Sequence, residues 1–133
     1  MSTLPGDRAL FFRRALRRRC PQCGVGPLFR RFARLHERCG ECALLFRRES
    51  GSQTGAMYLS AAVTEIVAAA TALALFFFTD WSTPVALGVG VAIVLAFCYA
   101  FLPLSMALWT AIEYSTDVSN GESWAAPRRP GHD

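Results

Sequence analysis

The stretch CPQCGVGPLFRRFARLHERCGEC, residues 20–42, decides how this chain is read. Two C-x-x-C pairs, Cys20 with Cys23 and Cys39 with Cys42, stand fifteen residues apart. That spacing lets four thiolates close a tetrahedron round one ion. Pro21 and Gly24 give the first pair the form C-P-x-C-G, a tight turn whose backbone N–H groups can face sulfur. Gly40, inside the second pair, is expected to ease the same turn. The insert reads as a β-hairpin-like ribbon, with GVGP as its turn and PLFRRF and ALLF as its apolar strands. Residues 1–49 hold too few apolar side chains for a core, so folding is expected to lean on metal.

The expected ion is Zn2+, with iron in a rubredoxin-like site as the second candidate. Haem attachment needs a histidine after C-x-x-C, and Gly24 and Ala43 follow instead. A thiol oxidoreductase normally sits on a βαβ scaffold, which this segment is too short to build. Four thiolates close the shell without His36, which reads as a surface residue. A closed shell holds no metal-bound water, and no nucleophile is paired with a base, so the chain does not read as an enzyme.

Outward from the cysteines, charge segregates. Residues 1–49 carry twelve of the fourteen arginines against four acids, a local balance of +8. Residues 56–112 carry no arginine and only two acids, Glu65 and Asp80. A water-soluble domain interleaves apolar with polar residues to make faces. This chain does not. Residues 57–78 and 84–109 read as two transmembrane helices, joined by a link so short that they must lie antiparallel. Trp81 suits one membrane interface, Tyr58 and Trp109 the other. The first twenty residues lack the apolar core of a secretory signal. The positive-inside bias places residues 1–55 in the cytoplasm, and Arg128 and Arg129 put the C-terminus there too. In a reducing cytoplasm the four cysteines are not expected to form structural disulfides.

The fold class is therefore a small membrane protein, a two-helix transmembrane α-hairpin with an N-terminal β-rich zinc ribbon. Its expected parts are a basic interfacial helix over 1–18, the ribbon over 19–48, the hairpin over 56–112 and a disordered tail over 113–133. On the basic helix Arg13, Arg14, Arg17, Arg18 and Arg19 read as topology determinants and lipid contacts, ahead of nucleic-acid binding.

The motif C-P-x-C-G-x-G-x-L-F is matched by Cys20, Pro21, Cys23, Gly24, Gly26, Leu28 and Phe29, and completed by Cys39, Cys42 and Phe46. With the two hydrophobic spans that follow, it resembles the DUF983 family of small bacterial membrane proteins, over roughly residues 18–112. The resemblance implies a zinc ribbon on a two-helix hairpin in the bacterial inner membrane, with no established activity. It also implies an association with terminal oxidase assembly, near whose genes some members lie. Three segments depart from the family pattern. Ala43 stands where a glycine is usual, SGSQTGAMY replaces a Gly-Asp-Gly-Pro run, and a basic motif is absent around Ser105.

Inside the membrane Glu65 is costly against lipid and is expected to face protein or be protonated. Ala61, Ala68, Ala69 and Ala72 share its face, and Gly88, Ala92, Ala96 and Ala100 form a small-residue stripe on the second helix. The two faces are expected to pack together. Pro103 leaves the Tyr99 carbonyl without a helical donor, so a protonated Glu65 could donate to that carbonyl or meet the Tyr99 hydroxyl. The competing reading gives Glu65 to a homo-oligomer or a larger membrane partner. Cys98 reads as an apolar packing residue.

The functional expectation is a non-catalytic accessory or assembly protein whose ribbon docks a membrane complex. A membrane-anchored thiol redox or metal-transfer protein and a membrane-tethered nucleic-acid-binding ribbon are the alternatives.

Overall fold

A computed structural model describes residues 5–47 and 51–123. The elements run α1 (Pro5–Leu16), β1 (Phe29–Arg31), β2 (Arg34–Leu35), α2 (Thr54–Phe78) and α3 (Thr83–Asn120). α2 and α3 are both long and apolar enough to cross a membrane, and none of the most apolar window of either is buried. A core helix of a water-soluble protein would be covered. These are not, so the chain folds as a zinc ribbon on a two-helix membrane hairpin.

α3 is much longer than its apolar stretch. At about 1.5 Å per residue, Thr83 to Pro103 spans about 30 Å, the thickness of the hydrocarbon core. The helix then continues to Asn120, almost five more turns, as a mast that carries the N-terminal head. The disordered tail expected from residue 113 is thus helical through Asn120. Ala107, Ala111, Tyr114 and Val118 recur at helical spacing, and the first three are buried while Val118 packs against the same cluster. Gly121, with φ +73°, stops the helix in the left-handed conformation, where its N–H reaches the carbonyls of Asp117 and Val118. From residue 124 the expected tail, with Arg128 and Arg129, lies outside the described residues.

α1 was expected to lie in the membrane interface, but it packs on the mast. Phe11 meets Tyr114 edge to face at 4.9 Å, and Arg8 donates to Ser119 Oγ at 2.7 Å. Later α1 residues meet earlier α3 residues, so the two run antiparallel. Ala15 is fully buried, whereas Leu16 is exposed.

The ribbon also differs from its expected layout. Its hairpin turn falls at Phe32 and Ala33, between paired residues Phe29↔Leu35 and Arg31↔Arg34. GVGP closes the first cysteine turn instead. ALLF lies outside the two strands and contributes a single isolated bridge, Arg38↔Leu45.

Between α2 and α3 the contact surface is not the one expected. Thr64 Oγ1 lies 3.4 Å from Cys98 Sγ, and Gly90 lets Leu75 approach closely. The stripe Gly88, Ala92, Ala96 and Ala100 is exposed, as are Ala61, Ala69 and Ala72; only Ala68 of that set is partly covered. Trp109 is held by protein, its indole N–H donating to the Ser52 carbonyl at 2.6 Å while its ring fills the space a Gly55 side chain would take.

Candidate metal centre

The four cysteines converge. Their sulfurs all lie within 4.8 Å of one another, and contacts cross between the pairs, Cys20 to Cys42 at 3.6 Å and Cys23 to Cys39 at 3.7 Å. A tetrahedron with metal–sulfur bonds of about 2.3 Å has edges of about 3.8 Å. A disulfide would need about 2.05 Å. The donor set therefore fits a four-thiolate ion, held by residues contributed equally from two backbone turns.

The turns are near copies. The Gly24 N–H donates to the Cys20 carbonyl at 2.9 Å, and the Ala43 N–H donates to the Cys39 carbonyl at 3.1 Å. Cys20 N–H closes the first on the Gly26 carbonyl, and Cys39 N–H closes the second on the Leu44 carbonyl. Gly24 and Ala43 both take left-handed φ, +72° and +57°. The strained position of the second turn is therefore Ala43 and not Gly40, which needs no special φ and has open space around it.

Electrostatics explain why a cation belongs here. Burial pushes the Cys20 thiol far up, against the pull of the Cys23 and Gln22 amides, and the neighbouring Cys42 and Cys39 charges add to the rise. Burial likewise raises Cys42 to about 11, opposed by the Leu44 amide. At Cys23 burial acts upward too. The amides of Gly26 and Val25 and hydrogen bonds from Cys39 and Cys20 outweigh it and bring the group to about 7. Four thiolates so close and so desolvated repel one another, and a bound cation removes that repulsion.

Several supports were not visible as site residues in the sequence. A Cβ on Gly26 would collide with Cys39 Sγ, so only glycine allows the thiolate its place. Arg14 donates to the carbonyls of Pro21 and Gln22 at 3.2 and 2.7 Å, bracing the first turn from α1. Tyr114 and Leu28 are fully buried beside Cys20. Burial raises the Tyr114 hydroxyl to about 12, with the Cys20 and Cys42 charges adding to the effect.

The other expected site residues are placed differently. Of the five lipid-assigned arginines, Arg14 braces the metal turn and Arg19 donates to the Val25 carbonyl at 2.7 Å. Arg18, with φ +58°, ends α1, while Arg13 and Arg17 are exposed. His36 is outside the thiol cluster. Glu65, Tyr99 and Pro103 are not brought together. Glu65 is exposed, its neighbour Thr64 takes the contact with α3, and Tyr99 stacks on Phe32. Pro103 is fully buried at the base of the mast. The three-residue polar contact expected from helical counting is thus not formed, because Glu65 sits one residue round α2 from the face that meets α3.

A four-thiol ribbon standing on a pair of apolar helices defines a small membrane protein of the zinc-ribbon type. The family model described as "Protein of unknown function (DUF983)" matches residues 29–114, and the chain belongs to that family. The match takes in the second cysteine pair and ends at Tyr114, the last large side chain of the head's core. The first pair lies before it and joins the site by geometry. No curated protein and no solved structure matches the chain.

Proposed function

We propose that this chain is a non-catalytic accessory or assembly protein of the bacterial inner membrane. Both termini face the cytoplasm, and a structural Zn2+ at Cys20, Cys23, Cys39 and Cys42 fixes the head. The head and one side of the hairpin dock a larger membrane complex. Respiratory complexes, terminal oxidases among them, are the client class the family resemblance suggests. The observation that carries this reading is Glu65, a carboxylate exposed on α2 at hydrocarbon depth. Against lipid it costs on the order of 3 kcal/mol, and a partner helix that accepts it lifts that cost. The exposed stripe Gly88, Ala92, Ala96 and Ala100 offers the close approach such a helix needs.

The inaccessibility of Cys20 and Cys39, 0% and 3% exposed, favours a structural ion over an exchangeable one or a redox pair. The bracing roles of Arg14 and Arg19 leave the basic segment less to offer nucleic acid. The test is tagged full-length protein extracted gently from its native membrane. The expected result is one zinc per chain and a co-purifying membrane complex that Glu65→Leu releases. Absence of metal, or a complex indifferent to Glu65→Leu, defeats the reading.

A further inference from the structure

The turn of the ribbon hairpin carries more charge than a hairpin wants. Arg30, Arg31 and Arg34 are all exposed, and none of their side chains makes a hydrogen bond or ion pair among the described residues. Arg31 and Arg34 are direct cross-strand partners. Like charges placed opposite each other destabilise a strand pair, unless an anion lies between them. A guanidinium fork matches a phosphate in shape and charge.

Phe32, at the same turn, is stacked on Tyr99 at 4.6 Å with the rings 15° apart, yet remains 40% exposed. Tyr99 is itself 68% exposed. It projects from α3 about 24 Å along the helix from Thr83, just short of where a hydrocarbon core of about 30 Å would end. With the hydrocarbon core counted from Thr83 in this way, the turn that Tyr99 carries falls near the head-side end of the core, beside three exposed arginines.

We propose that residues 30–34 form a lipid-seated anchor. Phe32 enters the acyl boundary beside Tyr99, and Arg30, Arg31 and Arg34 bind the phosphates of anionic phospholipid in the adjoining leaflet. Three arginines near an anionic surface shift the seated population roughly a hundredfold. The head is then fixed to the bilayer at two places, the mast and this turn. The inference rests on the hairpin spanning a bilayer and is independent of which complex the protein serves.

The chain has no lysine, so trypsin reads arginines alone. Full-length protein is placed in nanodiscs of phosphatidylcholine, without or with about 30% phosphatidylglycerol. Cleavage after Arg30, Arg31 and Arg34 is expected to slow at least about tenfold in the anionic discs, while cleavage after Arg17 and Arg18 changes less than about twofold. Equal rates in the two discs, or equal protection of both sets, overturns the anchor. Inorganic phosphate added to the neutral discs is expected to leave the rates unchanged; protection by it would mean a free anion is the ligand and would overturn the lipid assignment. In the Arg31→Gln/Arg34→Gln variant, Arg30 remains as reporter and is expected to lose its lipid-dependent protection. Metal content in the same sample reports the fold. Protection that persists with metal intact overturns the proposal, and Phe32→Ser with all three arginines present serves if the double variant loses its metal. Loss of protection in wild type alongside normal zinc and partner content defeats the anchor alone.

Discussion

In the head, Leu28, Phe46 and Tyr114 lose nearly all exposure around four thiols, whereas from Met57 through Leu102 no residue is buried. The two regions answer to different solvents. The head excludes water from a small apolar cluster set round four thiols that could hold an ion, a cross-link that short domains often use. The hairpin meets its solvent with apolar side chains, and its backbone polar groups are satisfied within each helix. Its two rods touch through small and thin side chains such as Gly90 and Thr64. α3 belongs to both regions, with Pro103 at the seam.

The sharpest way to break this contrast is to remove the ion. Cys20→Ser, or a strong zinc chelator, is expected to unfold the head, since four-thiolate zinc binding contributes about 10 kcal/mol or more to such folds. Metal content should fall to zero while the far-ultraviolet helical signal of the hairpin persists. Loss of both together would show that the regions are one cooperative unit. Next comes the seam itself. Tyr114→Ala should cost about 3–5 kcal/mol by leaving a cavity beside Cys20, read as faster metal loss to a competing chelator with the spans unaffected. Gly26→Ala should cost about 1–3 kcal/mol by pushing Cys39 Sγ off its position, lowering metal affinity without touching α1 or the mast. Smaller and opposite in sign, Ala43→Gly should stabilise the metal-loaded head by about 1 kcal/mol, because the left-handed turn at Ala43 strains any residue with a Cβ. Last, Ala92→Leu on the exposed stripe should move head stability by less than about 0.5 kcal/mol, and a larger shift would place that stripe inside the fold.

The cysteine spacing and the arginine-free stretch made the metal centre and the hairpin legible, because each is a property of residue type alone. The mast was hidden for a physical reason. Ser115, Thr116 and Asp117 end the apolar run, while the stripe Ala107, Ala111, Tyr114, Val118 that buries against the head continues past them. Hydropathy marks where lipid stops, and periodicity marks where helix stops. The face of each span was illegible because a helix apolar all round carries no directional signal, so the side that meets its neighbour is set by packing detail. That is why Thr64 and not Glu65 meets α3. Ala43 hid its role because alanine, unlike glycine, gives no hint of a left-handed turn. Arg14 looked like the arginines beside it, and only the fold brings the Pro21 and Gln22 carbonyls within its reach.

The contact between Cys20's neighbourhood and Tyr114 joins the first part of the chain to nearly the last described part. During synthesis, residues 20–46 leave the ribosome long before residue 114 does. The nascent head can gather its ion early, but its greasy underside stays open to water until the second span has threaded and the helix beyond it has emerged. Completion of the head thus reports that both crossings were made, and a chain stalled after the first would display an unfinished, protease-sensitive domain.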